Sequence, residues 1–330
     1  MTTDSTPIKA PSVPAFRFRR ESVELPTPED QRLLADFETV TQRHLPEIDR
    51  HFEHLMRDVL KWSVEPPIEF NFGAGNVVLR FRAQGERYLM RVPKFSHQQI
   101  RTYMLARRHF EGQSFFPDVV YADELCVIER YVEAEPLSDS TPLSDMERLG
   151  DALRRLHQYP AQGHGPLTHA NVGKFDQPRL VIKEQRILQG MKWLVEQQRM
   201  SVQQEALMLS HFEWGLQRWA QSPIRICHGD LNLSNILLNP QQLVFIDWDH
   251  LGAYPIERDF MSSHLRRLNP TQLHALYQGY ADSVSSELVR WFDVFRHIAL
   301  VQHLSAHSLH EFQTVLQSLL SQPSQVPSSH

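Results

Sequence analysis

Apolar residues are patterned differently in the first and second halves of the chain. Three short apolar runs, at 68–72, 77–82 and 87–92, are separated by turns that contain glycine. Short runs bounded by turn residues are typical of antiparallel strands. The pattern therefore predicts a small antiparallel sheet within a first domain at 67–128.

Beyond residue 136 the apolar residues recur at helical spacing. Met146, Leu149 and Leu153 lie three or four positions apart and would share one face of a helix, which a Ser144/Glu147 capping box is expected to begin. Similar patterns predict further helices, over 178–198, over 201–220 and from Asn269-Pro270 onward. A mostly helical second domain is expected over 136–321.

The flanking segments have a different composition. Residues 1–26 and 322–330 are rich in Pro, Ser and Thr, as is typical of flexible tails. Thr27-Pro28 resembles the first residues of a helix, so an N-terminal helical segment is expected over 27–66.

Composition and charge exclude several classes of protein. The 330 residues are 41% hydrophobic and carry a net charge of −5, which indicates neither a nucleic-acid partner nor an anionic membrane surface. A cationic small molecule would suit this charge. The chain has no apolar stretch of 18 residues and no signal-like start, so a cytoplasmic location is expected. Cys126 and Cys227 stand in apolar runs and are expected to be buried thiols, and nothing in the sequence indicates an oligomeric state.

The chemistry of the chain is concentrated after residue 224. An apolar run ends in His228-Gly229-Asp230, Asn235 follows at the fifth position after Asp230, and Asp247 follows a second apolar run. Phosphoryl transfer needs a carboxylate that accepts the proton of the attacking hydroxyl, and an Asn and an Asp that hold Mg²⁺. We therefore predict that Asp230 is the catalytic base and that Asn235 and Asp247 are metal ligands.

A simpler interpretation of the same residues is a hairpin whose Asn and Asp side chains cap turns. Two separate matches in register, the His-x-Asp with its Asn and the later Asp, favour the catalytic interpretation.

The segment from His228 to Asp247 resembles the aminoglycoside phosphotransferase and choline kinase superfamily, which are small-molecule relatives of protein kinases. Gly229 stands where many protein kinases have Arg, and Pro255 follows Asp247 too closely for a long activation loop. The resemblance implies an α+β, protein-kinase-like fold with two lobes. A small antiparallel-sheet N-lobe and a larger, mostly helical C-lobe would hold ATP and Mg²⁺ between them.

The resemblance also implies binding residues in the first domain. Gly73, Gly75 and Asn76 would approach the phosphates of ATP, although an ordinary hairpin turn would have the same sequence. Arg91 stands where kinases have a lysine for the α- and β-phosphates, and the alternative is an exposed strand arginine. In a hinge at 129–135, the backbone groups of Glu129 and Tyr131 would meet adenine.

One expected residue is missing. In kinases the cationic residue on the third strand, here Arg91, pairs with a glutamate on the following helix. The predicted helix 97–110 contains no acidic residue, and the first one after it is Glu111.

The predicted function is Mg-ATP-dependent phosphorylation of a hydroxyl on a small molecule, with an aminoglycoside-type antibiotic kinase favoured. The alternatives are a metabolite kinase for choline, thiamine or a sugar alcohol, a protein kinase, and a nucleotide-binding pseudokinase suggested by the missing acid.

Overall fold

Two compact units make up the chain, Met1–His54 and Leu55–His330. The structure, a computed structural model, describes the following residues: 47–72, 76–93, 97–138, 140–182, 184–261, 265, 268–301 and 316. In the first unit the described residues, 47–54, are helical. The two predicted tails lie outside the described residues, as does most of the predicted N-terminal helical segment.

A five-stranded antiparallel sheet forms the first part of the second unit, in the order β1-β2-β3-β5-β4. Its strands are β1 (Val64–Phe72), β2 (Asn76–Ala83), β3 (Glu86–Pro93), β4 (Val119–Ala122) and β5 (Val127–Arg130). Gln84 and Gly85 join β2 to β3 with φ values of 55° and 78°. Two positive φ angles give a tight turn whose twist matches that of the strands. The three predicted antiparallel strands are confirmed.

The following helix, α1 (His97–Phe110), connects this sheet to the rest of the unit through aromatic packing. The ring of Trp248 lies 5.2 Å from that of Phe110 and 5.3 Å from that of Phe116. All three side chains belong to one buried cluster. The residue after the predicted metal ligand Asp247 is thus fixed in the main core.

The remaining helices confirm the predicted helical character of the second half. They are α2 (Leu143–Leu156), α3 (Pro178–Val181), α4 (Glu184–Glu196), α5 (Val202–Gln221), α6 (Pro270–Tyr280) and α7 (Ser286–Leu300). Helices α2 and α6 approach so closely that a Cβ on Gly279 would lie 2.0 Å from the carbonyl oxygen of Glu147. None of the described helices is both long enough and apolar enough to cross a bilayer.

Two details of the helices differ from the sequence predictions. The single helix predicted over 178–198 is divided into α3 and α4 at Ile182, whose backbone is extended. Helix α2 begins after Pro142, without a side-chain cap, so the predicted Ser144/Glu147 capping box does not form. The capping box of α6 does form, because the Asn269 side chain accepts a hydrogen bond from the backbone N–H of Gln272.

Two small sheets support the catalytic segment. They contain β6 (Glu135–Pro136), β7 (His164–His169), β8 (Val172–Phe175), β9 (Arg225–Cys227), β10 (Ile236–Leu238), β11 (Leu243–Phe245) and β12 (Gly252–Tyr254). One sheet has the order β11-β10-β6 and the other β8-β7-β12-β9. The sequence patterns did not predict β7 and β8. Cys126 and Cys227 are both buried thiols, as predicted.

Candidate active site

The His228-Gly229-Asp230 loop leaves the end of β9 through a backbone conformation that requires glycine. Gly229 has a φ of +83°, and a Cβ at this position would lie 2.2 Å from the carbonyl oxygen of His250. A side chain here would be both strained and in collision with backbone. The loop can therefore pass close to His250 only because residue 229 is glycine.

A buried carboxylate fixes this loop. Asp259 is fully buried, and its two oxygens accept the backbone N–H groups of His228 (2.8 Å) and Gly229 (2.7 Å). One of them also lies 3.1 Å from Nε2 of His157. Burial alone would raise the pKa of Asp259, but His157 and these hydrogen bonds outweigh it and hold the pKa below its usual value. Asp259 therefore anchors the loop.

His228 connects the loop to the neighbouring hairpin. Its Nε2 lies 2.9 Å from the carbonyl oxygen of Ile246, and its ring lies 4.7 Å from that of Trp248. Burial lowers the pKa of His228. Because a carbonyl oxygen can only accept, Nε2 is the nitrogen that donates to Ile246. His228 therefore helps to order the loop of Asp230.

Asn235 and Asp247 lie at the same end of the β10–β11 hairpin. The backbone N–H of Ile246 donates to the carbonyl of Asn235, and the Asn235 amide nitrogen donates to the carbonyl of Asp230, each at 2.9 Å. Asp247 has left-handed backbone angles, φ 66° and ψ 60°, which are rare for a residue other than glycine. Its Oδ1 is buried and has no hydrogen-bond partner within the described part of the chain.

These features fit a bound Mg²⁺. The ion prefers oxygen ligands and usually takes one or two of them from protein. A buried carboxylate oxygen without a partner is costly unless something binds it, and Oδ1 of Asp247 is such an atom. The Asn235 side chain uses its nitrogen on the loop, so its oxygen is the atom that would face a metal.

Asp249 is a site residue that the sequence analysis missed. Its Oδ2 accepts hydrogen bonds from the amide nitrogens of Asn76 (3.2 Å) and Gln99 (2.7 Å). Burial and the charge of Asp247 raise its pKa. In the sequence, Asp249 could have been found as the second acidic residue of the Asp247-Trp248-Asp249 triplet. Asn76, predicted to approach phosphate, is buried and bonded to this acid, whereas Gly73 and Gly75 lie outside the described residues.

Arg91 has a buried acid as its partner, and that acid comes from a strand. Its Nε lies 3.2 Å from Oε2 of Glu129 on β5, and the two side chains are 13% and 2% exposed. The hydroxyl of Tyr103 on α1 donates to the other oxygen of Glu129. Burial raises the pKa of Glu129, while the positive charge of Arg91 opposes that rise. Arg91 therefore has an acidic partner, which the sequence pattern did not reveal.

The two residues predicted to meet adenine use their backbone inside the sheet. Glu129 lies in β5, opposite Leu89 of β3. The backbone N–H of Tyr131 donates to the carbonyl of Arg87 at 2.9 Å. The N–H of Tyr131 already has a partner, so it is not available for adenine as predicted. Glu129 contributes through its side chain, which pairs with Arg91.

Two arginines of this region were not predicted from the sequence. Nη2 of Arg296, on α7, lies 3.6 Å from Oδ1 of Asp230, with side-chain exposures of 36% and 25%. The guanidinium carbon of Arg258 lies 5.3 Å from the ring centre of Tyr254 and 5.9 Å from that of Phe292.

Known proteins share this architecture. A choline/ethanolamine kinase family protein from Mesorhizobium loti is 19% identical, with a TM-score of 0.59 over 84% of this chain and 95% of the other. A macrolide 2'-phosphotransferase from Brachybacterium faecium is 12% identical, with a TM-score of 0.55 over 85% and 99%. A thermostable mutant of aminoglycoside phosphotransferase APH(4)-Ia, in ternary complex with AMP-PNP and hygromycin B, is 16% identical, with a TM-score of 0.54 over 84% and 99%. At these identities the likeness shows the protein-kinase-like fold alone.

No curated protein matches the sequence significantly. The model of the phosphotransferase enzyme family matches residues 68–291, which is more than half of the chain and includes β2 to β12 with the loop at 228–230. On the match to this family model, the chain belongs to the phosphotransferase enzyme family.

Proposed function

We propose that the protein transfers the γ-phosphoryl group of Mg-ATP to a hydroxyl of a small molecule. One observation carries the proposal: Asp247 presents a buried carboxylate oxygen without a described partner, at the same hairpin end as Asn235 and beside the loop of Asp230. An acid, an amide and a second acid in this arrangement match the requirements of phosphoryl transfer, which depends on positioning and on charge stabilisation.

Each of the three residues has a distinct role. Asp230 is a quarter exposed, so it can reach an acceptor and take the proton of its hydroxyl. Asn235 and Asp247 would hold Mg²⁺, which neutralises charge on the phosphates when it is bound. The hydrogen bonds to Asp259 and Ile246 keep the loop of Asp230 in place before any substrate arrives.

Arg91 is suited to the phosphates of ATP. Glu129 binds its Nε, which leaves the terminal nitrogens for other partners, and the charges of Asp247 and Asp249 also act on Arg91. A guanidinium held at one nitrogen keeps its planar fork oriented for phosphate oxygens.

We also propose adenine contacts one residue away from those predicted. Backbone N–H and C=O groups of successive residues in an extended chain point to opposite sides. The N–H of Tyr131 points to Arg87 and the N–H of Arg130 points to the carbonyl of Asp118. If the alternation continues, the carbonyl of Arg130 and the N–H of Val132 would lie on the side away from β3. One acceptor and one donor on an extended backbone can bind the edge of a purine.

The pseudokinase and protein-kinase alternatives have less support. The pseudokinase was suggested by a missing acid, and Glu129 supplies that acid. A protein kinase would use a long activation loop after Asp247. Here the chain turns at Trp248–His250 and enters β12, which pairs with both β7 and β9.

The acceptor is tested by a panel that includes aminoglycosides, choline, thiamine and sugar alcohols, with release of ADP as the measurement. Asp230→Asn is the blank, because it keeps the size of the base and removes its charge. Acceptor-dependent release that disappears in Asp230→Asn, mostly through kcat, supports the proposal. Release that persists in Asp230→Asn would overturn the role of Asp230, and binding of Mg-ATP without any transfer would indicate a pseudokinase.

A further inference from the structure

The backbone of Asp247 has a conformation that its surroundings must hold. Its φ of 66° and ψ of 60° lie in the left-handed region, which is unfavourable for a residue with a side chain. Such a conformation persists only where the surrounding structure fixes it. The position of the Asp247 carboxylate therefore depends on the contacts of the residues immediately before and after it.

The nearest of these contacts are made within the same part of the chain. Before Asp247, the backbone of Ile246 is bonded through its N–H to the carbonyl of Asn235 and through its carbonyl to Nε2 of His228. After it, Trp248 is fully buried, and its indole N–H donates to a backbone carbonyl at 2.9 Å. The one-turn helix that Trp248 begins then continues to Asp249.

Asp249 is held by two amides from the sheet and from helix α1. Its Oδ2 accepts from Nε2 of Gln99 on α1 at 2.7 Å and from Nδ2 of Asn76 on β2 at 3.2 Å. The bond from Gln99 is the shorter of the two. The amide oxygen of Gln99 is buried and has no hydrogen-bond partner among the described residues. With the opposite amide orientation two acceptor oxygens would face each other, so the nitrogen is the atom that bonds Asp249.

We propose that Gln99 is a positioning residue for the metal ligand Asp247. By holding Asp249, it fixes the turn that keeps Asp247 in its left-handed conformation. The inference rests on the proposed function, since it takes Asp247 as a ligand of Mg²⁺. It also gives α1 a role that does not pass through Arg91, because the helix offers the loop an amide in the absence of an acid for the strand cation.

Exchange of the two polar groups tests the bond directly. Gln99→Glu sets one carboxylate against another, and Gln99→Met removes the amide without adding charge. Asp249→Asn can keep an oxygen at the position of Oδ2, which accepts from both amides. The double variant Gln99→Glu/Asp249→Asn restores the bond with donor and acceptor exchanged, as Asn76 turns its own amide oxygen to the new donor. If Asp249 instead bound the metal through its charge, Asp249→Asn would be as harmful as Gln99→Met.

The measurement is the affinity for ADP with Mg²⁺ and with EDTA, by isothermal titration calorimetry of the full-length protein. The ratio of the two affinities reports on the metal site and needs no acceptor. We expect Gln99→Met and Gln99→Glu to lower this ratio about ten-fold, as is typical when a residue behind a metal ligand is lost. Asp249→Asn and the double variant should stay within about two-fold of the wild-type ratio. Arg101→Gln, which changes an exposed residue of the same helix, should leave it unchanged.

The outcomes separate the inference from the proposed function. An unchanged ratio in Gln99→Met, a loss in Asp249→Asn, or a double variant that recovers nothing would each refute the positioning role. An equal fall in both affinities would assign Gln99 to general stability and refute it as well. If Mg²⁺ does not tighten ADP binding in the wild type, the proposed function fails and the inference with it. If the expected pattern is found but no acceptor releases ADP, the inference stands and the proposed transfer fails.

Discussion

Replacing Glu129 with Gln removes the charge of the acid that pairs with Arg91 and keeps its size. The interacting atoms are 3.2 Å apart, and both side chains are largely buried. Two unit charges at this distance attract by about 5 kcal/mol at an effective dielectric constant of about 20. Removal of one partner from a buried pair costs about 3–5 kcal/mol. Gln keeps one oxygen, which can still accept from Nε of Arg91, and its NH₂ can donate to the hydroxyl of Tyr103. We therefore expect the free energy of unfolding to fall by about 3 kcal/mol, the low end of that range.

An exposed pair beside it serves as the control. Arg87, also on β3, lies 2.6 Å from Glu133, but these side chains are 49% and 68% exposed. Exposed pairs contribute about 0.2–1 kcal/mol, so Glu133→Gln should lower the stability by less than about 1 kcal/mol. Urea denaturation of both variants measures the difference.

The same variants test whether Glu129 positions Arg91 for the nucleotide. A loosened Arg91 should raise KM for ATP about ten-fold in Glu129→Gln, equivalent to about 1.4 kcal/mol, while Glu133→Gln leaves KM unchanged. If Glu129→Gln were no less stable than Glu133→Gln, the argument from burial would be refuted. If it were less stable with an unchanged KM, Glu129 would support the sheet and have no part in nucleotide binding.

Three further predictions concern the catalytic loop. In Asp259→Asn, one accepting oxygen becomes an NH₂ that faces a backbone N–H. The free energy of unfolding, measured by urea denaturation, should therefore fall by about 3–5 kcal/mol. A loss below about 1 kcal/mol would contradict the role of Asp259 as an anchor of the loop. Gly229→Ala should lower kcat at least about ten-fold, whereas Gly85→Ala, with equally positive φ but nothing within 4 Å, should leave kcat unchanged. Burial holds the pKa of His228 below its unfolded value of 6.5, so its contribution to stability is complete above that pH and is lost as the pH falls through the folded pKa. Urea midpoints should fall from about pH 7 to pH 5, with a shallower slope in His228→Gln.

The sequence predicted the features that are determined by local signals. Short apolar runs with glycine turns are sufficient to predict β1 to β3, and the turn at Gln84-Gly85 has the expected backbone geometry. The spacing of His228, Asp230 and Asn235 is also a local signal, and the hydrogen bonds of His228 and Asn235 hold this loop in place. Such features depend on a few consecutive residues, so one sequence is enough.

The features that were missed depend on contacts between distant parts of the chain. Glu129 is separated from Arg91 by 38 residues, and only the pairing of β3 with β5 brings them together. Arg296 reaches Asp230 from a helix 66 residues later in the sequence, as the numbering shows. Asp249 is recognised as a site residue only by its hydrogen bonds to the amides of Asn76 and Gln99, which belong to two other elements. No periodicity or spacing in the sequence contains this information.

The origin of the acid that holds Arg91 has a consequence for regulation. In protein kinases that acid lies on a helix, and outward movement of the helix breaks the ion pair and inactivates the enzyme. Here Glu129 and Arg91 stand on adjacent strands of one sheet, where Val127 pairs directly with Arg91. A displacement of α1 would remove the hydrogen bond from Tyr103 and leave the ion pair intact. Within the described residues, the ion pair that holds Arg91 is therefore independent of the position of α1.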